Sequence, residues 1–217
     1  MHPELPAFLL PLLSILGTLA IGAMSPGPSF VVVVRASAAW SRRDGLAAAL
    51  GMGCGGLVFA GLALAGLQAL LLQVSWLYLV LKAAGGAYLV YLGYRIWRGA
   101  AVPLQTTDGA RPVAAGWRRS FAIAFATQIS NPKTAIWYAS VFAAFLPNPI
   151  PTVLFWALLP LVFALETGWY TIVALAFSAT RPRALYLGAK LWIDRFAGGV
   201  VGLLGGKLIL EAIRSKV

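Results

Sequence analysis

Cysteine and histidine are almost absent from this 217-residue chain, which holds one of each. Cys54 lies in a glycine-rich apolar run, which excludes a disulfide framework and a cysteine metal cluster. The single histidine, His2, lies at the N-terminus, so a Ser-His-Asp triad and an interior histidine zinc site are excluded as well. The sequence therefore predicts a protein that is not an enzyme and that holds no metal or cofactor.

Charged residues are also scarce, at 11% of the chain against about a quarter in soluble domains. Hydrophobic residues make up 60%, and the mean hydropathy is +0.84. A membrane-spanning helix needs about 20 apolar residues, so five or six spans use well over half of the chain. The sequence predicts a membrane protein with a single domain over residues 1–217 and no separate soluble domain.

Hydropathy and helix-breaking residues divide the chain into six apolar segments. A polar linker at about 98–119 separates two halves of three segments each, repeat one at about 5–97 and repeat two at about 120–213. The division between the second and third segments rests only on the residues around Gln73, and a re-entrant hairpin is the alternative. The predicted spans are 9–34, 45–71, 75–97, 120–146, 152–178 and 188–211.

Basic residues outnumber acidic ones by 17 to 6, which in a soluble protein would suggest a nucleic-acid partner. Here they cluster in alternate loops, as the retention of basic loops in the cytoplasm predicts. We therefore expect no nucleic-acid partner and an N-terminus outside; the basic C-terminus is the exception. The clustered residues are Arg35, Arg42, Arg43, Arg95, Arg98, Arg111, Arg118, Arg119, Arg181, Arg183 and Lys190.

The third and sixth segments align at a constant offset, at which Gly85, Gly86 and Gly93 match Gly198, Gly199 and Gly206. Because each half has an odd number of spans, two such copies would have opposite orientations in the membrane. The sequence thus predicts an all-α polytopic membrane protein of six transmembrane helices, arranged as two inverted three-helix repeats, and this arrangement is typical of secondary transporters. Chance similarity between glycine-rich helices is the alternative.

The first segment contains Ser25-Pro26-Gly27-Pro28-Ser29 within its apolar run. Both prolines remove a backbone donor, and glycine lets the chain leave helical geometry. Such a break in hydrocarbon must line a cavity or be buried in protein. A new half-helix starting at Pro28 would direct its N–H groups at an anion such as a carboxylate. We predict that Ser25, Pro26, Gly27, Pro28 and Ser29 bind substrate.

The fourth segment has a second predicted break, at Asn131-Pro132-Lys133. Asn131 is a good N-cap, and Pro132 suits the first turn of a restarted helix. Lys133 would carry its charge near mid-membrane, where charge is rare unless it faces a partner or a water-filled cavity. Asn131, Pro132 and Lys133 are therefore predicted to bind substrate, so that helices one and four are both broken at the site.

Glu166 is the only acidic residue well inside a predicted span. It is predicted to carry the coupled proton or to receive a substrate ammonium; the alternative is a structural ion pair with Lys133 or Lys82. Lys82, about seven residues into the third span, is included among the substrate-binding residues, although its stem could also snorkel to the interface. For Asp194, beside Arg195, a local ion pair or membrane anchor is favoured over substrate contact.

Glycines at four-residue intervals in spans two and six predict close helix packing. The same faces could serve helix sliding or a homodimer contact. The glycines concerned are Gly51, Gly55, Gly56, Gly61, Gly198, Gly202 and Gly206.

The Pro26-Gly27-Pro28 break, the run from Lys82 to Gly93 and Asn131-Pro132-Lys133 together resemble the lysine exporter family, which includes threonine and homoserine efflux proteins (LysE/RhtB). The resemblance extends over nearly the whole chain. It implies export of amino acids or close derivatives across the bacterial inner membrane, driven by the proton-motive force, as a secondary antiporter whose partners are a small-molecule substrate and the lipid bilayer. The alternatives are a membrane channel or scaffold without coupled transport, or an exporter of a different small solute or cation.

Overall fold

The computed structural model describes residues 5–25, 27–73, 75–102 and 116–214. Within these ranges the chain forms α-helices, one π-helical turn and short turns, without any β-strand, which confirms the all-α prediction. The helices are α1 Leu5–Met24, α2 Pro28–Arg35, α3 Arg42–Gln73, α4 Ser75–Gly99, α5 Trp117–Ser130, α6 Pro132–Phe145, α7 Thr152–Phe177 and α8 Thr180–Arg214, and the π-helical turn is Ala36–Trp40.

Both predicted helix breaks are present. The first apolar segment divides where α1 ends at Met24 and α2 begins at Pro28, and the two helices meet at a bend of 61°. The fourth segment divides where α5 ends at Ser130 and α6 begins at Pro132. Pro26 lies outside the described residues, so the prediction made for it has no structural counterpart here.

Among the residues that the structure describes, two helices are long and apolar enough to cross a membrane, Arg42–Gly66 of α3 and Thr152–Phe177. The bent pair of α1 and α2 makes a third if it is counted as one span. The chain thus has the apolar helices of a multi-pass membrane protein, while the count of six spans stays a prediction. The separation of the second and third segments agrees with the sequence, since α3 ends at Gln73 and α4 begins at Ser75.

Glycine allows several helix pairs to pack at backbone contact. A Cβ at Gly93 would lie 2.6 Å from the carbonyl oxygen of Gly198, and one at Gly205 would lie close to the carbonyl of Gly86. Since the contact partner moves backward along α8 as the chain advances along α4, the two helices are antiparallel. We call this contact the α4–α8 seam. Gly51 of α3 packs in the same way on the α5 backbone at Phe121.

The predicted packing role holds for several of these glycines, including Gly202, whose backbone nitrogen would lie 2.6 Å from a Cβ at Gly93. Gly55 packs on Gln128, Gly56 on Tyr138 and Glu166, and Gly198 on Gly93. In contrast, a side chain at Gly61, Gly202 or Gly206 would meet nothing within 4 Å among the residues that the structure describes.

Two hydrophobic clusters hold the helices together at different levels. One joins α1, α3, α4, α6, α7 and α8 through residues such as Leu89, Tyr138 and Val201. The other joins α2, the π-helical turn, α3, α5 and α7 through residues such as Phe30 and Val173. Buried residues of α4 and α8 occur in the first cluster but, among the described residues, not in the second, so these two helices separate from the others at the level of the second cluster.

Candidate functional site

The two broken helices meet through their own break residues. The ammonium of Lys133 donates to the hydroxyl of Ser25 over 3.1 Å and to the Ser25 carbonyl over 3.4 Å. The amide nitrogen of Asn131 donates to the hydroxyl of Ser29 over 3.0 Å. Ser25, Ser29 and Asn131 are all buried. The breaks, about 100 residues apart in sequence, therefore form one polar site.

Each break starts a new helix in the manner that the sequence predicts. Gly27 precedes α2 in an extended conformation, with a proline in the first turn. The Asn131 side chain accepts a hydrogen bond from the backbone N–H of Lys133 over 3.0 Å, and a proline again occupies the first turn. Two helix N-termini, each with a partial positive charge, thus begin next to the Lys133 ammonium. This arrangement favours an anion.

Glu166 is buried in the middle of α7, with 3% of its surface exposed. Its carboxylate accepts a hydrogen bond from the Tyr138 hydroxyl over 2.9 Å and a longer one from the Gln128 amide over 3.4 Å. Gln128 in turn accepts from the Ser29 hydroxyl over 2.6 Å. A continuous line of hydrogen bonds therefore runs from Glu166 through Gln128 and Ser29 to Asn131.

Gly56 of α3 makes room for the Glu166 contact. A Cβ at this position would lie 2.8 Å from the Tyr138 hydroxyl and 2.9 Å from the Glu166 Cγ. Any side chain at Gly56 would thus displace one of the two hydrogen-bonded partners, so Gly56 contributes to the geometry of the site through its lack of a side chain.

Two cavities adjoin this line of polar residues. The first has a volume of about 30 Å³ and is lined by Ser29, Gln128, Asn131, Trp137 and Glu166 among others. The second, which we call the vestibule, is open and has a volume of about 700 Å³. Ser25, Gly27, Asn131 and Lys133 line both cavities. The helix breaks therefore separate a wide open space from a small one that reaches Glu166.

The vestibule has a net positive lining. Arg95, Lys133 and Lys190 contribute basic groups, and Asp194 contributes the acidic one. Lys190 donates to Asp194 Oδ2 over 2.8 Å and to the carbonyl of Ala100 over 3.1 Å, which ties α8 to the end of α4. The predicted local ion pair of Asp194 is thus made with Lys190. Arg195 lies instead over the Trp97 ring, 6.0 Å from its centre.

The structure brings together most of the residues that the sequence singled out. Ser25, Gly27, Ser29, Asn131, Lys133 and Glu166 all line the small cavity, and Pro28 lines the vestibule. Pro132 takes part as the first residue of α6. Lys82 lies in α4, but its side chain is outside the described part of the structure, as is Pro26.

The alternative in which Glu166 forms an ion pair with Lys133 is wrong. The salt bridge beside the site joins Lys190 to Asp194 and involves neither residue of this alternative. The ammonium of Lys133 is turned to the α1–α2 break, where it contacts Ser25, while Gln128 and Tyr138 occupy the carboxylate of Glu166. Neutral hydrogen-bond donors therefore hold Glu166, and the basic group remains on the vestibule side.

Sequence reasoning missed Gln128 and Tyr138. Gln128 precedes Asn131 by one helical turn in an otherwise apolar run, and this spacing places both on one face of the fourth segment. That signal was available in the sequence. Tyr138 offered none, because a tyrosine in an apolar helix is equally compatible with the hydrophobic core or the membrane interface.

Comparison with known proteins gives a consistent result. The LysE type translocator family matches residues 20–212. The threonine efflux protein of Escherichia coli K12 is 34% identical over 192 residues, which cover 88% of this chain and 93% of the relative. The threonine efflux protein of Salmonella typhi is 34% identical over 193 residues, with the same coverage of both chains.

A leucine efflux protein of Enterobacter sp. strain 638 is 26% identical over 194 residues, or 86% of this chain and 89% of the relative. No solved structure gives a significant match. The family match spans both helix breaks, the vestibule and Glu166, and the threonine efflux relatives align along nearly their whole length. The chain belongs to the LysE type translocator family.

Proposed function

We propose that this protein is a secondary active exporter of amino acids or close derivatives, coupled to protons, in the bacterial inner membrane. The observation that carries the proposal is the meeting of two broken helices at Lys133, beneath an open vestibule, in a member of the LysE type translocator family. The relatives named as threonine and leucine efflux proteins support an amino-acid substrate.

In this proposal the substrate carboxylate binds at the paired breaks. Lys133 supplies a full positive charge, and the N-termini of α2 and α6 supply partial ones. Ser25, Ser29 and Asn131 add hydroxyl and amide contacts, while Gly27 leaves the backbone accessible. Pro28 and Pro132 begin the helices that follow the breaks, and Pro26 and Lys82 remain predicted substrate contacts.

The vestibule is proposed to face the cytoplasm. It is lined by the last turns of α4 and by the first half of α8, and thus lies at the same end as Arg98, Arg118 and Arg119. Basic loops are retained in the cytoplasm during membrane insertion. This orientation places the N-terminus outside, and it exposes the carboxylate site to the compartment from which an exporter takes its substrate.

Glu166 is proposed to carry the coupled proton. It is buried, mid-helix, and separated from the vestibule by the break residues. Among the described side chains, neutral Gln128 and Tyr138 contact its carboxylate. Buried acidic groups inside membrane proteins are typical of proton relays. The line of hydrogen bonds through Gln128 and Ser29 gives its protonation state a direct physical connection to the carboxylate site.

Counterflow in proteoliposomes tests the proposal. Vesicles loaded with unlabelled threonine, and then with other amino acids one at a time, receive the labelled amino acid outside, with and without an imposed pH gradient. We expect saturable flux for one chemical group of amino acids and acceleration by the gradient. The Glu166→Gln variant is expected to keep counterflow, which needs no net proton movement, and to lose the acceleration.

Asp108→Asn is the matched control, because it makes the same change from carboxylate to amide in the polar linker. It is expected to retain the response to the gradient. Full acceleration in Glu166→Gln would eliminate the proton role of Glu166. No flux of any amino acid through folded, inserted wild-type protein would overturn the proposal of amino-acid export itself.

A further inference from the structure

The vestibule contains an acidic group that the proposed carboxylate site does not use. Asp194 is buried, with 3% of its surface exposed, and it lines the same cavity as Lys133. Only one of its carboxylate oxygens is engaged, since Oδ2 accepts from Lys190. Among the residues that the structure describes, Oδ1 is buried and accepts no hydrogen bond.

A buried carboxylate oxygen without a donor is costly, about 1 to 3 kcal/mol or more for a charged group. In a purely structural ion pair, we would expect Oδ1 to accept from a second donor or to face solvent. Lys190 fixes the side chain from one side and is itself fixed by the Ala100 carbonyl. The carboxylate is therefore positioned and only half satisfied, which is the state expected of a group that receives a ligand donor.

Size distinguishes Asp194 from Glu166 as the partner of a substrate ammonium. The cavity at Glu166 has a volume of about 30 Å³, the space that one water molecule occupies in the liquid. The space beside Glu166 is therefore far smaller than the vestibule, and a whole amino acid fits the vestibule better. The vestibule has about 700 Å³, and Lys133 and Asp194 are close enough in it to interact electrostatically.

We infer that Asp194 binds the ammonium group of a zwitterionic amino acid in the vestibule while Lys133 binds its carboxylate. Oδ1 of Asp194 takes the ammonium, and Lys190 is a positioning residue that holds Oδ2. The inference rests on the proposed amino-acid export and deepens it. It assigns the two ends of the substrate to two opposite charges on α8 and α6 and leaves Glu166 free to exchange protons.

The site as inferred selects α-amino acids over molecules that lack either charge. A 2-hydroxy acid keeps the carboxylate but lacks the ammonium, so it leaves Oδ1 unpaired. An amino-acid amide keeps the ammonium but lacks the carboxylate, so it leaves Lys133 without its new partner. A charge-assisted hydrogen bond differs from a neutral one by enough to give roughly tenfold or greater discrimination.

The test is competition against labelled threonine counterflow by three unlabelled probes: threonine, its 2-hydroxy-acid analogue and threonine amide. In wild-type protein, we expect threonine to inhibit counterflow at a concentration about tenfold lower, or less, than either analogue requires. Asp194→Asn should lose the preference over the hydroxy acid and keep the preference over the amide. Lys133→Gln should show the reverse pattern.

Lys190→Gln separates ligand binding from a purely structural ion pair. It removes the partner of Oδ2 but leaves the Asp194 carboxylate, so we expect it to raise the KM for threonine and to retain part of the preference for threonine over the hydroxy acid, which Asp194→Asn loses. If Asp194→Asn and Lys190→Gln change selectivity alike, or if Asp194→Asn keeps the wild-type preference, the inference is wrong. Asp194→Glu retains the charge and should retain the preference, which covers the case in which Asp194→Asn does not fold.

Different outcomes would overturn the proposed function and the role of Asp194. If wild-type protein shows no threonine counterflow and none with other amino acids, the proposed function fails. If wild-type protein transports and discriminates while Asp194→Asn discriminates equally well, the proposed function stands and only the role of Asp194 fails.

Discussion

At the scale of the residue, Gln128 connects the two halves of the site. Its amide oxygen accepts from Ser29, next to the proposed carboxylate site, and its amide nitrogen donates to Glu166. An amide is the side chain that can do both at once, because it carries an acceptor and a donor.

Replacing Gln128 with leucine is expected to destabilise the protein and weaken transport together. The change leaves the buried Ser29 hydroxyl without its acceptor and removes a donor from Glu166, at a cost of about 1 to 3 kcal/mol for each buried unsatisfied group. Thermal unfolding in detergent should show a lower midpoint, and counterflow should show a higher KM. Thr127→Val, a polar-to-apolar change at the adjacent position, should leave both close to wild type. An unchanged KM in Gln128→Leu would separate the residue from the site.

Most residues of the site could be predicted from the sequence, but the contacts between them could not. Pro28, Asn131 and Pro132 were interpretable because helix starts depend on local chemistry that the residue types themselves dictate. The contact of Lys133 with Ser25 and the half-satisfied state of Asp194 depend on which helices are neighbours and at what depth. That information is tertiary, and a single sequence does not contain it.

At the scale of the element, the α4–α8 seam is the feature with the clearest mechanical meaning. Gly93 and Gly198 bring the two backbones together, and so do Gly86 and Gly205. The offset that aligns the third and sixth segments pairs Gly86 with Gly199 and Gly93 with Gly206. When α4 and α8 are exchanged with this offset, each of the two contacts maps to within one residue of the other. The seam is therefore close to symmetric under exchange of α4 and α8, which supports the proposed inverted repeat.

Alanine substitutions along α8 should have different effects where the added Cβ faces α4 and where it faces away from α4. A Cβ at Gly198 would lie 2.7 Å from the Gly93 carbonyl oxygen and 2.9 Å from the Trp97 nitrogen, so both helices must shift. Overpacking of this kind costs about 1 to 3 kcal/mol, and we expect Gly198→Ala to lower the unfolding midpoint. Gly202→Ala, one turn further along the same helix, meets nothing within 4 Å and should be neutral or stabilising. Equal effects at the two positions would show that the seam does not govern packing.

Element boundaries were well anticipated where breakers mark them, as at Gln73 and Ser75, and poorly where they do not. The sixth predicted span began at 188, whereas α8 begins at Thr180. Arg181 and Arg183 suggested a loop because basic residues are rare in hydrocarbon. A helix can nevertheless extend past the membrane with its basic turns in water, and hydropathy alone does not mark that transition.

At the scale of the whole molecule, the two hydrophobic clusters explain where the vestibule lies. The cluster around Leu89 and Val201 holds α4 and α8 against the other helices, and the cluster around Phe30 and Val173 forms without them. The vestibule lies next to α4 and α8, at the level where, among the described residues, these two helices take no part in the second cluster. The predicted homodimer remains a prediction, for which the open glycine faces at Gly61, Gly202 and Gly206 are the natural surfaces to test.

The volume of the vestibule also couples the conformation of the protein to the amount of water that it contains. Its 700 Å³ hold on the order of 20 water molecules at about 30 Å³ each, and a conformation that closes it must release them. Osmotic pressure from a polymer too large to enter should therefore favour closure. In a Cys54→Ala background, maleimide labelling of Tyr91→Cys in the vestibule should slow as polymer is added, while labelling of Asn148→Cys in the opposite turn should not. If labelling slowed equally at both positions, the effect would not be specific to the vestibule. If it slowed only at Tyr91→Cys, closure of the vestibule would release water in each transport cycle.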